Sequence, residues 1–129
     1  MAAPNITDVS SIVGVTSAVS LSATTNPGFP TGGVIIVENP SGSNASYKIN
    51  TLFVSNVGLS SNNATVVFYR ANPNRTFNII KNVTIPAQST LDVVSNPLYL
   101  MENDSLRGTA LSADGGAGME AVCSFEIIK

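Results

Sequence analysis

The sequence predicts an all-β protein: an antiparallel two-sheet sandwich, jelly-roll or Ig-like, of about eight strands. Three observations lead there. No segment carries a helical period of useful length, while short β-branched stretches alternate with Asn, Pro and Gly. Asn-Pro recurs at 26-27, 39-40, 72-73 and 96-97. Asparagine tolerates turn conformations and proline cannot donate to a ladder, so each pair should end a strand. The 129 residues make one domain, large enough to bury a core without disulfide staples.

Residues 1–11 have no clean period, with Ile6 and Val9 scattered among Asn, Thr, Asp and Ser. They are read as an N-terminal arm, and 12–129 as a single sandwich domain. In the first strand Val13, Val15, Val19 and Leu21 share one parity, with Thr16 and Ser20 on the other. Val34 to Val37 is a continuous apolar run, expected to be covered on both faces. Next, Tyr47, Ile49, Thr51 and Phe53 alternate with Lys48, Asn50 and Leu52. A strand follows from Thr65 to Arg70, then one from Thr76 to Ile85 with Phe77, Ile79, Val83 and Ile85 in register. Leu91 to Val94, Leu98 to Met101 and Leu106 to Leu111 are shorter. In the last strand Ala121, Cys123, Phe125 and Ile127 oppose Glu120, Ser124 and Glu126.

Composition narrows the function. The chain has one Cys and no His or Trp, so it lacks the pairs for a disulfide scaffold, four Cys/His ligands for structural zinc, and the histidine of a Ser-His-Asp or Cys-His unit. Six Lys and Arg, at 48, 70, 75, 81, 107 and 129, make no basic stripe, and the net charge is -2, which argues against nucleic acid. The longest apolar runs are far too short to span a bilayer, so no membrane partner is expected. The first eight residues have neither a basic n-region nor an apolar h-region, which points to a cytoplasmically made protein not exported by its own signal. Neutral polarity replaces charge: 14 Asn, 16 Ser and 11 Thr. The six Asn-x-Ser/Thr triplets, starting at Asn5, Asn44, Asn63, Asn74, Asn82 and Asn103, follow from that composition. A folded surface of roughly 6,500 Å² then carries about one charged side chain per 460 Å². So sparse a surface favours an assembly component, and with few charges to guard the sheet edges a homo-oligomer is expected.

The chemistry-bearing residues have structural readings. Cys123 lies on the apolar parity of its strand and reads as a small buried hydrophobe. Asp92, Glu102, Asp104, Asp114, Glu120 and Glu126 read as loop or outward-strand carboxylates, not an acid/base pair. The stretches 102–105 and 114–116 lack the spacing of a calcium loop and read as turns. No catalytic residue, cofactor or metal is expected. The interface candidates are Pro4, Ile6 and Val9 of the arm, which could pack on its own sheet or on a neighbouring subunit. Phe29, in the loop Asn26-Pro-Gly-Phe-Pro-Thr-Gly-Gly33, is either a loop anchor or a lid on the sandwich.

Residues 85–112 contain Pro86-Ala87, Ser89-Thr90-Leu91, Pro97-Leu98-Tyr99-Leu100 and Asp104-Ser105-Leu106-Arg107, and Ser124 to Ile128 closes the chain as Ser-aromatic-Glu-x-Ile. This pattern, over about residues 47–128, resembles the C-terminal half of small virion structural proteins of tailed bacteriophages, particularly cyanophages. Phe125 stands where that pattern has Tyr. The resemblance implies a non-enzymatic capsid decoration (cement) protein on the surface of the phage particle, an oligomer whose partner is the major capsid protein. The alternative is a neck, tail or fibre-base accessory protein contacting portal or tail subunits. A third reading, from another class, is a glycan-binding host-surface module, weakened by three Tyr and no Trp.

Overall fold

The computed structural model describes residues 9–21, 33–111 and 118–129. They form nine strands: β1 (Ile12–Leu21), β2 (Val34–Glu38), β3 (Ser46–Asn56), β4 (Asn62–Arg70), β5 (Arg75–Ile85), β6 (Thr90–Val94), β7 (Leu98–Leu100), β8 (Ser105–Ala110) and β9 (Met119–Ile128). One sheet runs β1-β9-β3-β6, with β7 also on β3; the other runs β2-β8-β4-β5. Every pairing is antiparallel.

β6 and β7 are one strand in two pieces. β6 lies against Leu52 to Ser55 of β3 and β7 continues along Tyr47 to Ile49, with Asn96-Pro97 between them. Proline has no N–H for the ladder, so pairing stops and resumes beyond it. Counted so, the chain is a long antiparallel ribbon that turns back between β4 and β5 and pairs β1 with β9, β2 with β8 and β3 with β6/β7. Rolling that ribbon adds β9 against β3 and β8 against β4, which is the jelly-roll connection. Asn39-Pro40 follows β2 and Asn72-Pro73 sits in the β4–β5 turn, so these pairs end strands as expected. Asn26-Pro27 lies outside the described residues.

The core fills the space between the sheets. Leu21, Ile36, Ile49, Leu52, Val54, Val66, Ile85, Leu100, Leu106, Met119, Ala121, Cys123 and Phe125 belong to it. Gly108 faces inward where the sheets approach closely: a Cβ there would meet the side chains of Ile36 and Leu21 at 3.1 Å. β1 from Val15 and β9 alternate as predicted.

Three strands depart from their predicted faces. In β3, Ile49 is inside, but so are Leu52 and Val54, and Phe53 is 39% exposed. Asn50 is an extra residue against β9, where Ile49 faces Phe125 and Thr51 faces Ser124, and this bulge reverses the parity beyond it. In β5, Ile85 is buried and Phe77 exposed, while Ile79 and Ile80 both pack on the core. Register shifts against β4 and a left-handed Asn82 (φ 50°) account for this. β2 is covered on one face only. Ile36 and Val37 are buried and Ile35 is exposed, because β2 is a bulged strand at the rim of its sheet.

Candidate interaction surface

The residues that could carry chemistry are held by the fold. Cys123 is fully buried, and burial pushes its thiol up to about 12, so it stays protonated. Asp104, expected in an open loop, is instead buried: its Oδ1 accepts the Ala71 N–H at 3.1 Å and its Oδ2 the Met101 N–H at 3.0 Å. Arg70 lies 3.5 Å from the same carboxylate. Burial here follows from the turn, which aims main-chain donors at the side chain. Glu102 likewise accepts from Gly42 N–H at 3.0 Å and Asn44 N–H at 3.1 Å. The 102–105 stretch is therefore a turn whose carboxylates answer N–H donors. Among the described residues no three His, Cys, Asp or Glu gather as metal ligands. Asp92 and Glu120 are exposed, and Glu126 pairs with Lys48 at 3.8 Å. Asp114 lies outside the described residues.

The two ends of the sandwich differ. At one end the turns after β2, β4 and β7 are tied together through Asn39, Glu102 and Asp104. Asn39, fully buried, donates to Ala45 O at 3.0 Å and Leu100 O at 2.9 Å and accepts from the Ser43 hydroxyl at 2.6 Å. Its own N–H bonds Asp104 O, and its carbonyl accepts from Asn103 N–H. At the other end Asn56 bonds Ser60 O and Ile85 O, both at 2.9 Å. Outside that bond set, Val57, Leu59 and Leu111 project into solvent, Leu59 at 87% and Leu111 at 66% exposure. Beside them lies an open groove of about 390 Å³ lined by Ser55, Asn56, Val57, Gln88, Ser89, Thr90 and Glu120.

The rims of the sheets differ as well. β5 carries Arg75 and Lys81, β2 is short and ends on Glu38, and β6 carries Asp92 before its break at Pro97. β1 has neither charge nor proline over ten residues, and its register against β9 is unbroken. Its signal stood in the sequence, where no charged residue occurs between Asp8 and Glu38. Which strand lies at a rim depends on topology, which local pattern does not carry, so the sequence points to the arm and not to β1.

Of the predicted interface residues, Val9 is half-buried where the chain enters β1. Ser10 and Ser11 both donate main-chain bonds to Lys129 O, at 2.7 and 3.1 Å, so sheet pairing begins before Ile12. Pro4, Ile6 and Phe29 lie outside the described residues. The chain's three arginines stack on rings, Arg70 over Phe68, Arg75 over Phe77 and Arg107 over Tyr69, around the β4–β5 turn and β8. No family model matches the chain, and neither a curated protein nor a solved structure matches it.

Proposed function

We propose that this protein is a non-enzymatic structural module of a tailed-phage particle, a decoration protein seated on the shell and bridging neighbouring major capsid subunits. The phage-like pattern over residues 47–128 supplies the particle. The observation that carries the seating is the asymmetry of the sandwich. Among the described residues, the turns at one end are tied together by Asn39, Glu102 and Asp104, and the turns at the other expose Val57, Leu59 and Leu111. Exposed apolar loops at one end of a rigid sandwich suit docking on a larger surface. A module that binds only the assembled lattice shifts the equilibrium toward the closed shell by mass action, and needs no covalent chemistry.

The test is the copy number of this chain relative to the major capsid protein in purified particles, by quantitative mass spectrometry. A ratio near the shell subunit's is expected. A small fraction of it would move the chain to the neck or tail, and absence from particles would overturn the virion reading. Replacing Leu59 and Leu111 together by Ser should weaken shell binding at least about tenfold, the loss of two buried leucines, while the fold is kept. Unchanged binding would remove the docking end. Deleting residues 1–8, which spares the Ser10 and Ser11 bonds to Lys129, tests the arm in the same assay.

A second reading has its own support. The groove at Ser55, Gln88, Thr90 and Glu120 offers hydroxyls, an amide and a carboxylate, the groups that bind sugar hydroxyls. It has no aromatic platform, which favours the first reading. A glycan array without a hit would dispose of the second.

A further inference from the structure

Among the described residues β1 is an edge strand with a determinate set of outward main-chain groups. Ser11 and Lys129 exchange both main-chain bonds, Ser11 N–H to Lys129 O at 3.1 Å and Lys129 N–H to Ser11 O at 3.0 Å. Bonding alternates along an antiparallel pair, and the β1–β9 register runs unbroken from Ile12 opposite Ile128 to Leu21 opposite Met119. Odd-numbered residues of β1 therefore direct their N–H and C=O groups at β9. Ile12, Gly14, Thr16, Ala18 and Ser20 direct theirs away from it. All five are exposed, and Ile12 and Val13 are 59% and 52% exposed.

We propose that two copies of this chain pair antiparallel through β1, about a two-fold axis at Thr16. In that register Thr16 meets Thr16 of the second copy, Gly14 meets Ala18, and Ile12 meets Ser20. Every outward main-chain group of the five residues then has a partner, and the two β1-β9-β3-β6 sheets become one. A register one residue different would set outward groups against residues whose own groups face β9.

The second copy is favoured over another protein by charge. About a two-fold axis only the central residue meets its own copy, but the charges of a strand and of its copy share one seam, and like charges set opposite one another there repel. Self-pairing of β5 would bring Arg75 and Lys81 to one seam, and centred self-pairing of β6 would set Asp92 opposite Asp92, while β2 is short and bulged. β1 brings no charge to such a seam, and among the described edges it is the long one that lacks the charges, breaks and bulges that usually protect one. Ser10 and Ser11 bond at Lys129, so the chain enters β1 in line with the sheet and does not lie along the open edge at that point. The proposal does not rest on the phage reading; either can fail alone.

Sedimentation velocity of the full chain should give twice the chain mass at micromolar concentration. Thr16→Lys places two ammonium groups at the axis and should give a monomer with an unchanged circular dichroism spectrum. Val122→Lys, on the same sheet face but on β9, should stay dimeric. Thr16→Cys should form an intermolecular disulfide on oxidation, since directly bonded antiparallel residues lie about 5.5 Å apart at Cα. Ser20→Cys, facing Ile12, should not crosslink at a comparable rate. The native Cys123 is buried and does not compete. A monomer at all concentrations overturns the proposal, as does a dimer that Thr16→Lys leaves intact. Equal crosslinking at positions 16 and 20 overturns the register.

Discussion

Asn39 and Asn56 play matching parts at opposite ends of the sandwich. Each is buried, each carboxamide donates to two main-chain carbonyls, and each side-chain oxygen accepts one bond, from Ser43 or from Gly58 N–H. Asn39→Ala strands the buried Ala45 and Leu100 carbonyls and should cost about 2–3 kcal/mol in urea unfolding, whereas Asn56→Ala strands the Ile85 carbonyl but leaves that of exposed Ser60 to water and should cost about 1–2 kcal/mol. Asn39→Asp should cost more at pH 7, because a carboxylate repels the carbonyls of Ala45 and Leu100 that the amide served. A loss below about 1 kcal/mol in either alanine variant would mean water replaces the side chain. Cys123 gives a pH dependence of definite sign. Its thiol is raised from 9.0 to about 12, so between those values the unfolded chain loses a proton that the folded chain keeps. Stability contributed by the neutral thiol is complete below pH 9 and falls as pH rises toward 12. At pH 10.5 the native protein should have lost about 2 kcal/mol relative to pH 8 that Cys123→Ala does not lose. Identical pH profiles for the two proteins would sink this account.

At the scale of elements, turn chemistry is open to direct test. Gln88 sits between β5 and β6 at φ 58°, a left-handed conformation that costs a residue with a Cβ. Gln88→Gly should therefore be neutral or stabilise by up to about 1 kcal/mol, and Gln88→Val should destabilise by about as much. The same melting curves with the order reversed would show that the Gln88 side chain holds the turn. The strands themselves were legible in the sequence, because alternating runs such as 119–128 and Asn-Pro breaks such as 39–40 act locally. What local pattern cannot carry is the partner. The bulge at Asn50 lies where β3 pairs with β9, and beyond it Leu52 faces in and Phe53 out. The exposed β1 edge was hidden for the same reason, since a strand becomes an edge only when the sheet order is known. Asn39 was readable as a strand terminator, but its burial needed Leu100, sixty-one residues away, to supply a carbonyl.

For the molecule as a whole, the ribbon topology orders folding by sequence distance. The β4–β5 pair closes across the four residues between Arg70 and Arg75, whereas β1 and β9 join Ile12 to Ile128. Closing the longer loop costs more chain entropy, and once the inner pairs have formed much of that cost has been met. Pairing should therefore begin at β4–β5, pass through β3 with β6 and β8 with β4, and end with β1 on β9. Side chains at the two ends of that order should affect different rates. Val66→Ala, in the core on β4, should slow folding roughly five- to tenfold for a loss of about 2 kcal/mol. Leu21→Ala, in the core on β1, should change folding by less than about threefold and place most of its larger loss in faster unfolding. Stopped-flow chevrons, run dilute enough to keep copies apart, measure both. If Leu21→Ala slowed folding more than Val66→Ala, the outer pair would belong to the nucleus, and the jelly roll would form by collapse of its two ends before the ribbon closed.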